Sequence, residues 1–195
     1  MSTRRAILAA AAAAAAAAAV VVAAGGAAVL LGAKAPEPAA AVQAAPVWAE
    51  VAWPFPNDPW GPGRAFRCSG AACGAETTLY LRAKAGLCDC TTGVADDEHL
   101  DRVGDVDLVG RSSAALAPGE PVTVHRMPGR RRAYTVTGAG AGPRTVLSVA
   151  FNDRCDLVVA TAATAGTTPA AQEAAVLDFL NGDVVLRWAE TTLGL

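Results

Sequence analysis

The sequence predicts an α+β domain: an antiparallel β-sheet, made of a hairpin plus a four-stranded meander, with two or three packed helices. Three observations carry this. Apolar and polar residues alternate with period two over 76–83, 122–125 and 134–137. Two valine-rich runs, 144–151 and 155–163, are apolar almost throughout, as strands covered on both faces are. Capping residues open two segments of helical spacing, at Asp96 or Asp97 and at Thr168.

The chain has 195 residues and a formal charge of -2, with 53% hydrophobic, 5% aromatic and 17% charged residues. Much of the hydrophobic share is one alanine tract, unbroken from Ala9 to Ala19. The near-neutral balance excludes a general nucleic-acid binder, which needs a basic excess. It equally excludes a disordered acidic tail protein.

Residues 1–44 read as a targeting segment with an Ala/Pro-rich linker. Arg4 and Arg5 precede a run without charge from Ala6 to Ala33, the n-region and h-region of an export signal. Two outcomes fit. Ala41-Val42-Gln43-Ala44 has small residues at both sites a signal peptidase reads, so cleavage after Ala44 would release the mature chain. Uncleaved, residues 6–33 exceed the roughly 20 residues that span a bilayer and would tether the protein to the inner membrane. Thr3-Arg4-Arg5-Ala6-Ile7-Leu8 also resembles a twin-arginine export signal. Either way, residues 45–195 are expected to form a single exported globular domain, periplasmic or extracellular.

Trp48 to Trp60 holds three tryptophans and Pro54, Pro56 and Pro59, which forbid a helix or a central strand. It reads as an extended strap laying aromatic rings on the domain. Arg64–Cys68 and Glu76–Ala83 read as a hairpin. A helix starting at Asp96 or Asp97 carries Leu100 and Val103 on one face and ends between Val103 and Val109. Four strands follow, at Val122–His125, Tyr134–Thr137, Arg144–Phe151 and Cys155–Ala163. Gly129, the Gly138–Gly142 run and Asn152-Asp153-Arg154 are expected to supply the turns. Thr168-Pro169 opens a second helix that ends at Asn181-Gly182. Asp183 to Leu195 reads as a third short helix in preference to an edge strand.

All five cysteines, Cys68, Cys73, Cys88, Cys90 and Cys155, lie beyond the targeting segment, and export makes disulfides the default. Cys68 and Cys73 face each other across the hairpin turn. Cys88 and Cys90 share a face of an extended piece, and one of them can reach Cys155. Five is odd, so one thiol stays free or pairs with another molecule. A rival reading gathers Cys68, Cys73, Cys88 and Cys90 around a metal, though the spacing is C-x4-C and C-x-C. Another assigns redox work to Cys88-Asp89-Cys90, with one residue between the cysteines where the active motif has two.

No catalytic motif is visible, and no cofactor or metal is expected. His99 sits among Asp96, Asp97, Glu98 and Asp101, a pattern of neither an EF-hand loop nor H-E-x-x-H, and reads as a solvated helix face. A small hydrolase using His125 would need a nucleophilic serine; Ser69, Ser112, Ser113 and Ser148 all lie outside G-x-S-x-G. Arg126, Arg130, Arg131 and Arg132 form the one basic cluster, placed near a hairpin tip. They could contact an anionic ligand or an acidic envelope partner.

Several word-like pieces carry a resemblance: Trp53-Pro54-Phe55-Pro56 with Trp60-Gly61, Cys88 to Asp97, Phe151 to Asp156, and Arg187 to Leu195. In these the chain resembles uncharacterised exported proteins of alphaproteobacteria, over about Trp48 to Leu195. That resemblance implies export and a single domain, and no activity. The order of elements also resembles the PsbP-like fold, as an analogy alone. The expectation is therefore a non-enzymatic, disulfide-stabilised exported module with a binding or accessory role in the cell envelope. Its alternatives are a cysteine-based metal or thiol-redox protein and, more weakly, a hydrolase.

Overall fold

The computed structural model describes residues 46–138, 142–164 and 169–194. The targeting segment, the Ala44 cleavage position, the centre of the Gly138–Gly142 run and the Thr168 cap lie outside them. Among the described residues, no helix is long and apolar enough to cross a membrane.

The α+β architecture is as expected: an eight-stranded, wholly antiparallel sheet with helices on it. The strands are β1 (Trp48–Val51), β2 (Arg64–Cys68), β3 (Thr77–Lys84), β4 (Ser112–Ala115), β5 (Glu120–Val124), β6 (Met127–Thr137), β7 (Arg144–Asp153) and β8 (Asp156–Thr164). Their order is β1-β2-β3-β8-β7-β6-β4, with β5 pairing the first half of β6. The hairpin thus joins the meander where β3 pairs with β8. The helices are α1 (Gly70–Cys73), α2 (Asp97–Val103), α3 (Pro169–Leu180) and α4 (Asp183–Leu193), with a 3-10 turn at Val106–Leu108.

Period two sorts the side chains of β7 and β8 to two covered faces. Leu147, Val149 and Phe151 point with Val158, Ala160 and Ala162 toward Val176 and Leu180 of α3 and Val185 and Ala189 of α4. Ala150, Leu157 and Val159 point the other way, against Leu100 and Val103 of α2. Farther along that second face, Val146 and Ala163 pack with Tyr134, Val136 and Val109.

Several boundaries differ from the sequence reading. Gly129 does not make a turn; it lies inside β6, opposite Phe151. A Cβ there would fall 2.2 Å from the Ala150 carbonyl oxygen, so the glycine serves close strand approach. The β5–β6 turn is His125-Arg126, with His125 at φ 53°. His125 is therefore a turn residue and not part of a strand. The β7–β8 connection is the two-residue turn Arg154-Cys155, with Arg154 at φ 52°, so Cys155 sits outside its predicted strand. β1 and β4 are strands that the pattern did not announce. Asp183 lies in the first turn of α4, whose cap position is Gly182.

Candidate functional site

The arginine cluster resolves into internal ties. Arg130 and Arg132 are on the α2 face of β6. Arg130 Nε reaches Asp97 Oδ1 at 2.5 Å and its Nη2 donates to the Gly119 carbonyl. Arg132 pairs with Asp101 at 2.9 Å and donates to the Ala117 carbonyl. Arg131, on the opposite face, pairs with Glu120 and with Glu173 of α3. The three together hold α2, α3 and the β4–β5 loop to one strand. Arg126 stands apart, exposed on the β5–β6 turn.

The local electrostatics agree with this. Asp97 is held below the usual carboxylate range, chiefly by the Gly119 N–H and then by Arg130. Tyr134 donates its hydroxyl to Asp101 beside Arg132, and burial pushes the phenol far up.

Sequence reasoning missed a second ionic cluster, buried between β3 and the segment after α2. Arg82 pairs with Asp58 of the strap at 2.5 Å and with Asp105 at 2.6 Å. Lys84 pairs with Asp105 at 2.7 Å and donates to the Val103 carbonyl. Trp53 and Trp60 of the strap lie over Arg82 and Lys84. Burial pushes the Asp105 carboxyl up, against the pull of Lys84 and Arg82. Asp105 Oδ2, Ser148 Oγ and Thr161 Oγ1 are buried without a hydrogen-bond partner. The sequence signal was present in Arg82 and Lys84, alternating on a strand whose neighbour β8 is covered on both faces.

The strap lays Trp48, Trp53 and Phe55 on the domain as expected, while Trp60 is exposed and Trp48–Val51 forms β1. Trp53 and Phe55 meet Tyr80 edge-on at 6.0 and 5.2 Å, and Trp48 packs on Phe179 at 4.9 Å.

The third cluster is the sheet end that carries three cysteines. Cys90 is bonded to Cys155, Cys68 to Cys73, and Cys88 is a buried thiol. The four-thiolate metal reading is thereby corrected: Cys68, Cys73 and Cys90 are engaged in disulfides, so the set Cys68, Cys73, Cys88 and Cys90 does not assemble. The loop after β3 is stitched to the β7–β8 turn at several points. Gly86 N–H donates to Asp156 Oδ1 at 2.9 Å and Val94 N–H to Asn152 Oδ1 at 3.4 Å. Cys88 N–H donates to the Cys155 carbonyl at 3.2 Å. Burial pushes the Cys88 thiol up, and Asp156 and Asp89 add to it.

Beside this loop lies a polar cavity of about 320 Å³ lined by residues including Asp89, Asp96, Glu98, His99 and Arg102. Two of its carboxylates have other duties. Asp96 caps α2 through the His99 N–H. Asp89 accepts the N–H groups of Thr91 and Thr92, which hold its carboxyl low. His99 itself is buried against the domain, not part of a solvated face.

The hydrolase arrangement is not assembled. His125 donates its backbone N–H to Asn181 Oδ1 at 2.7 Å, and its Nε2 is buried without a partner. Ser148 is fully buried inside β7.

Two disulfides in one small domain mark a chain suited to an oxidising, non-cytoplasmic compartment. No family model matches the chain, and no curated protein matches it.

Proposed function

We propose that this chain is a non-enzymatic, exported module of the cell envelope, with a binding or accessory role. One observation carries the reading: one disulfide closes the β2–β3 connection and a second ties the loop after β3 to the β7–β8 turn. Such bonds persist where thiols are not kept reduced. The charged groups support the non-catalytic part. Arg130, Arg131, Arg132, Arg82 and Lys84 are each paired inside the fold, so they act as fastenings.

For an anionic partner, the contact then falls to Arg126 on the β5–β6 turn. Arg126→Glu is expected to weaken retention on an anionic surface, such as vesicles of phosphatidylglycerol, with the melting temperature unchanged. Arg130→Glu is expected to lower the melting temperature instead. Cell fractionation tests the whole reading. The chain is expected in the envelope fraction; recovery from the cytoplasm with every cysteine reduced would overturn the proposal.

A further inference from the structure

The β7–β8 turn gives Cys155 two cysteine neighbours, and we infer that Cys155 exchanges its disulfide between Cys90 and Cys88. Two contacts put Cys88 in place. Its N–H is hydrogen-bonded to the Cys155 carbonyl at 3.2 Å. That bond brings the backbone of the loop against the turn that carries the Cys90–Cys155 disulfide. Its Sγ donates to the Arg154 carbonyl, also at 3.2 Å and on the same turn. The inference goes beyond the envelope reading, because it stands on cysteine geometry and not on a compartment.

The step is internally balanced. The Cys88 thiolate attacks Cys155 Sγ, the Cys90–Cys155 bond breaks, and a Cys88–Cys155 bond forms. Cys90 leaves as thiolate and takes up the proton that Cys88 released to solvent. No oxidant or reductant enters. The effect is to move a thiol from a buried position to an exposed one, since Cys88 is 7% exposed and Cys90 lies at the surface. There it can attack a disulfide on another protein, joining the two chains while the partner's second cysteine leaves as thiolate. The partner class is a disulfide-bearing protein.

The scaffold survives the exchange. Gly86 to Asp156, Val94 to Asn152, and Asn152 Nδ2 to the Arg154 carbonyl are hydrogen bonds that involve no sulfur. They keep the loop on the turn whichever disulfide is present. The surroundings also hold the reaction back. Asp89 and Asp156 flank Cys88, Leu100 and Val103 of α2 share its buried cluster, Arg154 stands on the β7–β8 turn to which its Sγ is bonded, and His99 and Arg102 line the adjoining cavity. Burial and the two carboxylates keep the group protonated, so the exchange accelerates as pH rises.

The test uses the oxidised full-length protein, iodoacetamide at pH 7 to 9, an acid quench and peptide mapping. The expected result is alkylated Cys90 together with linked Cys88–Cys155 peptides. Its rate should climb about tenfold per pH unit until the thiol titrates. Cys88→Ser should abolish Cys90 labelling. Two results would overturn the inference: Cys90 never labelled at pH 9, or labelled equally in Cys88→Ser. If Cys88→Ser does not fold, Cys90→Ser serves instead. It should form Cys88–Cys155 on oxidation, and forming only Cys68–Cys73 would be equally fatal.

Discussion

The two faces of the sheet hold their helices by different means. On one face, α3 and α4 cover Leu147, Val149 and Phe151 with Val176, Leu180, Val185 and Ala189. On the other, α2 spans only seven residues and buries His99, Leu100 and Val103. Its apolar contact is small, and charges make up the difference: Arg130 and Arg132 from β6, with Arg82, Lys84 and Asp105 beneath the segment that follows. A short helix cannot dock by burial alone, so its fastening is electrostatic. Burial then decides how much each ion pair matters.

That contrast can be broken first at Asp105. Asp105→Ala leaves Lys84 and the inner side of Arg82 buried without a counter-charge, and should cost about 3–5 kcal/mol in denaturant unfolding. Replacing Asp58 and Asp105 by Leu and Arg82 and Lys84 by Met should recover most of that loss. A quadruple variant as unstable as the single one would mean that the cluster does more than neutralise itself.

The apolar face is next. Leu147→Ala should cost about 2–5 kcal/mol through the cavity beneath α3, with no dependence on salt. Gly129→Ala should cost about 1–3 kcal/mol, because its Cβ meets the Ala150 carbonyl. A neutral Gly129→Ala would show that β6 can move away from β7.

The smallest effect belongs to the outer pairs. Asp97→Asn should lower the unfolding midpoint only slightly, and added salt should erase the difference while leaving the Asp105 effect intact. The sign with pH follows from a lowered carboxyl. Ionised Asp97 favours the fold above the ordinary carboxylate pKa of about 3.9, and this contribution is lost as pH falls through its lower folded value. Wild type should thus lose stability faster than Asp97→Asn as pH drops below about 4.

Much of the fold was legible because its signals are local. The alternation of Thr77 to Arg82, the valine-rich β7 and β8, the Asp96 cap and the Pro169 opening each depend on neighbours in sequence. What went unread depended on neighbours in space. Gly129 looks like a turn until Ala150 is seen above it. Ser112 to Ala115 has no apolar face, since β4 is exposed throughout and exists only through its pairing with β6. The arginines read as a contact because their carboxylate partners, Asp97, Asp101, Glu120 and Glu173, are distant in the chain or on another element. For the cysteines, sequence narrowed the choice to Cys88 or Cys90 as partner of Cys155, and the structure pairs it with Cys90.

The most direct measurement is a disulfide map of the protein recovered from its native cells, with thiols blocked and exchange stopped by acid at lysis. The predicted map has Cys68 linked to Cys73, Cys90 linked to Cys155, and Cys88 as the single thiol. Five blocked thiols would contradict it, removing both the oxidising compartment and the locked sheet end.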